Sequence, residues 1–195
     1  MRDNYHHGDL RNALIEAGIK VINENGEEAL SLRKVASLCG VSHAAPYAHF
    51  PDKESLLAAI KETVTNGFIE ELESAANNKK VKNAEESILA MGERYILFFE
   101  KNPDYFNFLF HKQKLQVHTD MKKEYEDDYA PFLIFKKYLE KYYEESGLKL
   151  SDKEKEIGLL KNWGLVQGLA SIASMENVNI TLSWKVLAKE CLKGQ

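Results

Sequence analysis

The chain has 195 residues, 44% of them hydrophobic, which is enough for a compact core in one or two small domains. No run of about 18 apolar residues occurs, which excludes a membrane-spanning helix. With 26 Lys and Arg against 30 Asp and Glu, the net charge of −4 excludes a generally basic phosphate binder, so any nucleic-acid contact must be local.

The start, Met1-Arg2-Asp3-Asn4-Tyr5-His6-His7, is followed by no apolar run and does not read as a signal peptide. Cys39 and Cys191 lie far apart and form no ligand-type pair, so free thiols and a cytoplasmic location are expected. From Leu10, apolar residues recur at Leu14, Ala17, Val21 and Ile22, a helical stripe with Asp9 as its N-cap and Gly26 as its stop. A second helix is predicted from Ser31 to Leu38, capped by the Ser31 hydroxyl, buried through Leu32, Val35 and Ala36, and closed by Gly40. After Val41, Ser42 is in position to cap a third short helix that runs through Tyr47 to about Phe50. Pro51-Asp52-Lys53 interrupts the chain, and Asp52 caps a helix from Lys53 to about Ser74 with Leu56, Leu57, Ile60 and Val64 facing inward.

Two helices joined by the tight Gly40-Val41-Ser42 turn describe a helix-turn-helix, and Ala44, Ala45 and Ala48 let the second of them come close to a groove wall. The charge pattern agrees locally: from Ser31 to Lys53 the cations Arg33, Lys34 and Lys53 face Asp52 alone. Residues Ala75 to Glu86 are polar and read as a connector, which puts a head at 1–52 and a body at 53–195. Beyond the connector lie amphipathic segments from Ser87 to Lys101, Pro103 to about Lys114, Lys122 to Glu145, Asp152 to Met175 and Leu182 to Leu192. Val178 to Thr181 is too short to carry a sheet. The fold class is therefore all-α, a three-helix head on a helical bundle.

The series Leu30-Ser31-Leu32-Arg33-Lys34-Val35-Ala36, Gly40-Val41-Ser42 and Tyr47-Ala48-His49-Phe50-Pro51-Asp52-Lys53-Glu54-Ser55-Leu56-Leu57 resembles the DNA-binding head of TetR-like regulators. The resemblance covers about the first 65 residues. A shorter one, Trp163-Gly164-Leu165-Val166-Gln167-Gly168-Leu169-Ala170, is similar to the Trp-His-Gly type of C-terminal domain, with Gln167 in the histidine's place. What the resemblance implies is a homodimer on a two-fold symmetric double-stranded operator, one head per half-site, repressing until a small-molecule effector releases it.

Chemistry assigns the contacts. Ser31 offers its hydroxyl and the amides of a helix start to a phosphate. Arg33 has the fork geometry for guanine or phosphate. Ser42, His43 and Ala44 open the recognition helix and suit phosphate, base edge and thymine methyl respectively. Tyr47 and His49 resemble the family's phosphate-contacting positions, Phe50 is expected in the head's core, and Lys53 adds a charged donor. Pro46 departs from the family pattern: it removes an amide, so the recognition helix is expected either to carry it at the edge of its first turn or to start later.

Fourteen of the 20 aromatics fall between Tyr95 and Tyr143, the kind of wall that an apolar or aromatic effector needs. With the family resemblance, this places a pocket there, with Tyr95, Phe99, Phe106 and Phe110 as its expected lining. Gly164 and Gly168 are four apart on one helix face, and with Leu160, Trp163 and Ile172 they form the expected dimer interface. The rival reading is a ligand carrier or an enzyme with a non-functional head. The chain has no Gly-rich phosphate loop, no His-Glu-x-x-His, no Glu-x-x-His and no Cys cluster, so no catalytic residue, metal site or cofactor is assigned.

Overall fold

In the computed structural model, residues 7–123 and 125–193 are described, with side chains from Leu10 onward. Eight α-helices follow in order: α1 His7–Asn25, α2 Leu32–Leu38, α3 Lys53–Ala76, α4 Ala84–Lys101, α5 Pro103–Asn107, α6 Ala130–Glu145, α7 Asp152–Ala173 and α8 Trp184–Cys191. No strand occurs among the described residues. The chain divides into two units, one of residues 1–64 with 107–113 and the other of residues 65–106 with 114–195. The division thus falls twelve residues beyond the expected boundary at 52/53, within α3, and a short segment from later in the chain joins the first unit.

In the first unit, α1 buries Leu14, Ala17, Val21 and Ile22 of the predicted stripe, leaves Leu10 half-buried, and buries Ile15 and Ile19 beside them. It begins at His7, ahead of Asp9, so Asp9 lies inside its first turn; the Asp9 side chain is outside the described residues. α2 starts as expected, with the Ser31 hydroxyl accepting the Lys34 amide at 3.2 Å. It stops at a Schellman turn: Gly40, at φ 68°, donates its amide to the Ser37 carbonyl while Val41 donates to the Ala36 carbonyl. Only glycine takes that left-handed conformation without cost.

The third helix is shorter and tighter than expected. Instead of running from a Ser42 cap to Phe50, it is a single 3-10 turn, Ala45–Ala48. Pro46 has no amide to give to the Ser42 carbonyl four residues back, so that α-helical bond cannot form. The Ser42 carbonyl takes the Ala45 amide instead, at 3.0 Å, and Tyr47 and His49 donate to Ala44 and Pro46 in the same three-residue pattern. α3 then starts on a reciprocal cap in which Ser55 donates its amide to Asp52 Oδ1 at 2.7 Å and the Asp52 amide donates to Ser55 Oγ. Residues 108–112 form one π turn that packs on α1, with Phe108 and Leu109 buried.

In the second unit α4 is the central helix, packed against α6, α7 and α8. Asn83 caps it by accepting the Glu86 amide at 2.8 Å, and Glu145 at the end of α6 accepts the Ala84 amide at 2.7 Å. The expected connector is correspondingly short, because α3 runs on to Ala76. Among the described residues from Lys122 to Tyr129, expected to be helical, none is in a helix, and α6 starts only at Ala130. Pro131 belongs in a first turn and nowhere deeper. Ahead of it, Lys136 gathers the carbonyls of His118, Asp120 and Lys123 on its ammonium, and buried Asp128 accepts the His118 amide. Those carbonyls and that amide are thus satisfied without a helix. α7 carries a full capping box between Ser151 and Glu154.

Candidate functional site

The head presents its polar residues outward. Ser31, Arg33, Ser42, His43, Ala44 and Tyr47 are all exposed, whereas His49 and Lys53 are half-buried. Tyr47 is 54% exposed and Phe50 2%, which resolves the neighbouring aromatics into one surface ring and one core ring. The Arg11 guanidinium lies over the Phe50 ring at 5.3 Å, a cation–π contact that fixes the base of the turn. Pro46 is buried, so the residue that shortens the turn also anchors it to the core. The His43 ring is held to α2 through Ser37, whose Oγ is 3.2 Å from His43 Nε2. Cys39 is half-buried with its thiol directed to the Ala13 carbonyl, and burial pushes that thiol up; Cys191 is exposed, and both are free.

The second unit holds a narrow apolar cavity of about 30 Å³, room for one small group. Gly92, Tyr95, Tyr129, Phe132, Phe135 and Trp163 are among its walls, and no charged residue lines it. Tyr95 donates its hydroxyl to the Gln167 side-chain carbonyl, and Trp163 packs on Phe132 with ring centroids 4.5 Å apart. Burial pushes the Tyr95 and Tyr129 hydroxyls well above the usual phenol range. On its outer face α7 exposes a stripe of Ile157, Leu160, Gly164, Gly168 and Ile172 at helical spacing, with exposed Met175 just beyond its end. A Cβ added at Gly164 or Gly168 meets no atom within 4 Å.

Residues 14–60 match the family model described as bacterial regulatory proteins, tetR family. The head is that of a tetR-family regulator. No curated protein matches the chain in sequence. Solved structures extend the likeness to the whole fold. A tetR-family bacterial regulatory protein from Rhodococcus RHA1 is similar at a TM-score of 0.66 and 16% identity, over 94% of this chain and 93% of that one. AibR, solved with isovaleryl coenzyme A and operator DNA, is similar at 0.64 and 20%, over 94% and 96%. FadR from Bacillus subtilis, solved with stearoyl-CoA, is similar at 0.59 and 16%, over 93% and 95%.

Within this tetR-type frame the expected site residues separate. The eight named in the head all fall in its first unit, around α2, the 3-10 turn and the start of α3. Of the four expected around the effector, only Tyr95 lines the cavity. Phe99 and Phe106 pack on each other in the core, their centroids 5.3 Å apart, and Phe99 stacks toward Phe68; Phe110 belongs to the first unit. Trp163 turns inward to the cavity and away from the expected dimer stripe, because it lies four residues after Leu159 and three before Val166, both buried. Leu160, Gly164, Gly168 and Ile172 are exposed on the other face. The walls supplied by α6, Phe132 and Phe135, were not singled out, since nothing in their spacing tells which neighbour an aromatic face meets. Among the described residues no group of three His, Cys, Asp or Glu is placed to hold a metal ion, and no helix is long and apolar enough to cross a membrane.

The raised tyrosines have a measurable consequence. A phenol held neutral by burial contributes its full stability below the ordinary tyrosine pKa of about 10 and loses it as pH rises toward the folded value. In an alkaline titration, Tyr95 and Tyr129 are expected to yield phenolate absorbance only together with loss of helical circular dichroism. Comparison with Tyr95→Phe and Tyr129→Phe isolates their signals, and ionisation ahead of the helical change would contradict the buried placement.

Proposed function

We propose that this chain is a transcription repressor that binds a palindromic operator as a homodimer and is released by a small apolar or aromatic effector. The observation that carries the reading is the exposed set on one small head: the capped start of α2, Arg33 beside it, and the Ser42-His43-Ala44 turn with Tyr47. In a chain of net charge −4 this is where a phosphate backbone finds donors and small side chains together. Ser31 combines its hydroxyl with the free amides of α2, and Lys53 stands at the start of α3.

The effector reading rests on the cavity. Its lining holds no charge, which suits an apolar ligand and would leave a buried anion unpaired. Two neighbours in fold were solved with acyl-coenzyme A ligands; the uncharged lining here matches the chemistry of an acyl chain and not that of the phosphates. At about 30 Å³ the cavity is far smaller than drug-sized sites, which measure roughly 300–1,000 Å³. Ligand entry must therefore move its walls. One wall is Leu72 on α3, the helix that begins at Lys53, so a ligand favouring the open cavity also favours a displaced α3.

Footprinting on DNA flanking the gene, across a salt series, tests the reading. A protected palindrome with half-sites about one turn apart (~34 Å) is expected, with binding that weakens steeply as salt rises. Arg33→Ala is expected to cost about 1–3 kcal/mol of operator binding if it reads a base, and Tyr47→Phe to weaken binding evenly across sequences. Weak, salt-sensitive binding that neither substitution changes would sink the proposal and favour a ligand carrier with an idle head.

A further inference from the structure

We propose that Ser37 fixes the tautomer of His43, so that the His43 ring reads an amino-bearing base, adenine or cytosine, in the operator. Ser37 Oγ lies 3.0 Å from the Arg33 carbonyl and 3.2 Å from His43 Nε2. A carbonyl oxygen only accepts, and a hydroxyl has one proton to give. That proton goes to the Arg33 carbonyl, one turn back along α2. The contact to His43 then has a proton only if Nε2 carries it, with the serine lone pair accepting. A neutral imidazole has one N–H, so Nδ1 is left as a bare acceptor.

The position of the ring makes this matter. His43 is exposed and opens the turn that ends in Ala45–Ala48, flanked by Ala44 and Ala45, whose small side chains let the backbone approach a groove. Nδ1 is the ring nitrogen nearer the backbone, so such an approach is what brings it to a base edge. In the major groove the donors available to it are the N6 amino group of adenine and the N4 amino group of cytosine. Guanine N7 and O6 and thymine O4 are acceptors and would face the lone pair unfavourably. Arg33 on α2 is a donor only, so the two side chains select opposite features of the base edges. Ser37 touches no base in this scheme and acts as a positioning residue. Sequence patterns give no hint of it, because a serine in the last turn of a short helix is ordinary.

The proposal rests on the DNA-binding reading, and its test separates the two. First, the ring nitrogen shifts of His43 are measured in the free protein by nitrogen NMR in alkaline buffer. The Nε2–H form is expected in the wild type and in Ser37→Thr, and a mixture in Ser37→Ala. Second, operators are selected from random DNA with wild type, Ser37→Ala, Ser37→Thr and His43→Ala. The wild type is expected to prefer adenine or cytosine by about five- to tenfold at one position per half-site, the worth of a single hydrogen bond. Ser37→Ala and His43→Ala are expected to lose that preference while keeping the rest of the site, and Ser37→Thr to retain it. An Nδ1–H ring, or a His43-dependent position that prefers guanine or thymine, overturns the tautomer proposal and leaves the regulator standing. A preference untouched in Ser37→Ala overturns it as well. No enriched sequence from any of the four proteins overturns both.

Discussion

Replacing Gly164 and Gly168 together by Glu is expected to yield a folded monomer that has lost operator binding by about 10²–10⁴-fold. Within one subunit the change is harmless. Neither new Cβ meets an atom within 4 Å, and glutamate is a better helix former than glycine by up to about 0.8 kcal/mol per position. The damage falls on a second copy. The α7 stripe leaves Leu160 at 48% and Ile172 at 41% exposure, with Met175 at 55% just past the helix end, apolar area that a lone subunit has little reason to display in a row. If two such stripes face each other across a two-fold axis, four carboxylates enter an interface with no cation of the stripe to meet them. A monomer holds one head to one half-site and forfeits the gain from tethering the second. Sedimentation and operator titration, run beside a thermal melt, read the three consequences separately. A variant that remains dimeric would move the interface elsewhere on the molecule.

The largest loss of stability is expected at Phe68. Its side chain is fully buried and meets Tyr95 edge-on at 4.9 Å, Phe98 at 5.0 Å and Phe99 at 4.7 Å between centroids. Truncation to alanine removes the centre of this cluster, and α3 and α4 cannot close the gap without giving up the ring pairs around it. Phe68→Ala is expected to cost about 3–5 kcal/mol, the range for aromatic truncation in a core, and to lower the melting temperature by on the order of 10 °C. Tyr105 provides the control: it is half-buried at the rim of the same cluster, 6.0 Å from Phe98, so Tyr105→Ala is expected to cost far less. Denaturant unfolding of both variants checks the ordering. Equal losses would mean that the cluster is not the centre of this unit.

Much of the head could be read directly, because its signals are local. Ser31 and Asp52 cap the helices that they precede, Gly40 ends α2 where its left-handed backbone is needed, and Phe50 is core while Tyr47 is surface. Pro46 announced a disturbance, but its form, a 3-10 turn in place of a helix, depends on which carbonyl is left to take the Ala45 amide. The body was less legible for a different reason. Tyr95 and Phe99 are one turn apart on α4, and periodicity alone puts both inside. Both rings meet Phe68; that only Tyr95 also reaches the cavity is decided by how α3, α6 and α7 cross α4. Trp163 shows the same limit: its closeness in sequence to Gly164 and Gly168 suits the exposed face, whereas the burial of Leu159 and Val166 puts it on the inner one.

The π turn at 108–112 bears on how such a protein can be inherited and engineered. A DNA-reading module that closed on itself would be free to move between genes as one contiguous stretch. Here the unit holding the reader also takes residues 107–113, with Phe108 and Leu109 buried and the turn packed on α1. An excised segment ending at Val64 would carry the residues proposed to contact DNA but leave part of the α1 surface bare. Swapping readers between relatives therefore requires two splice regions, and recombination at the single apparent joint would yield chimeras whose two halves had never been matched.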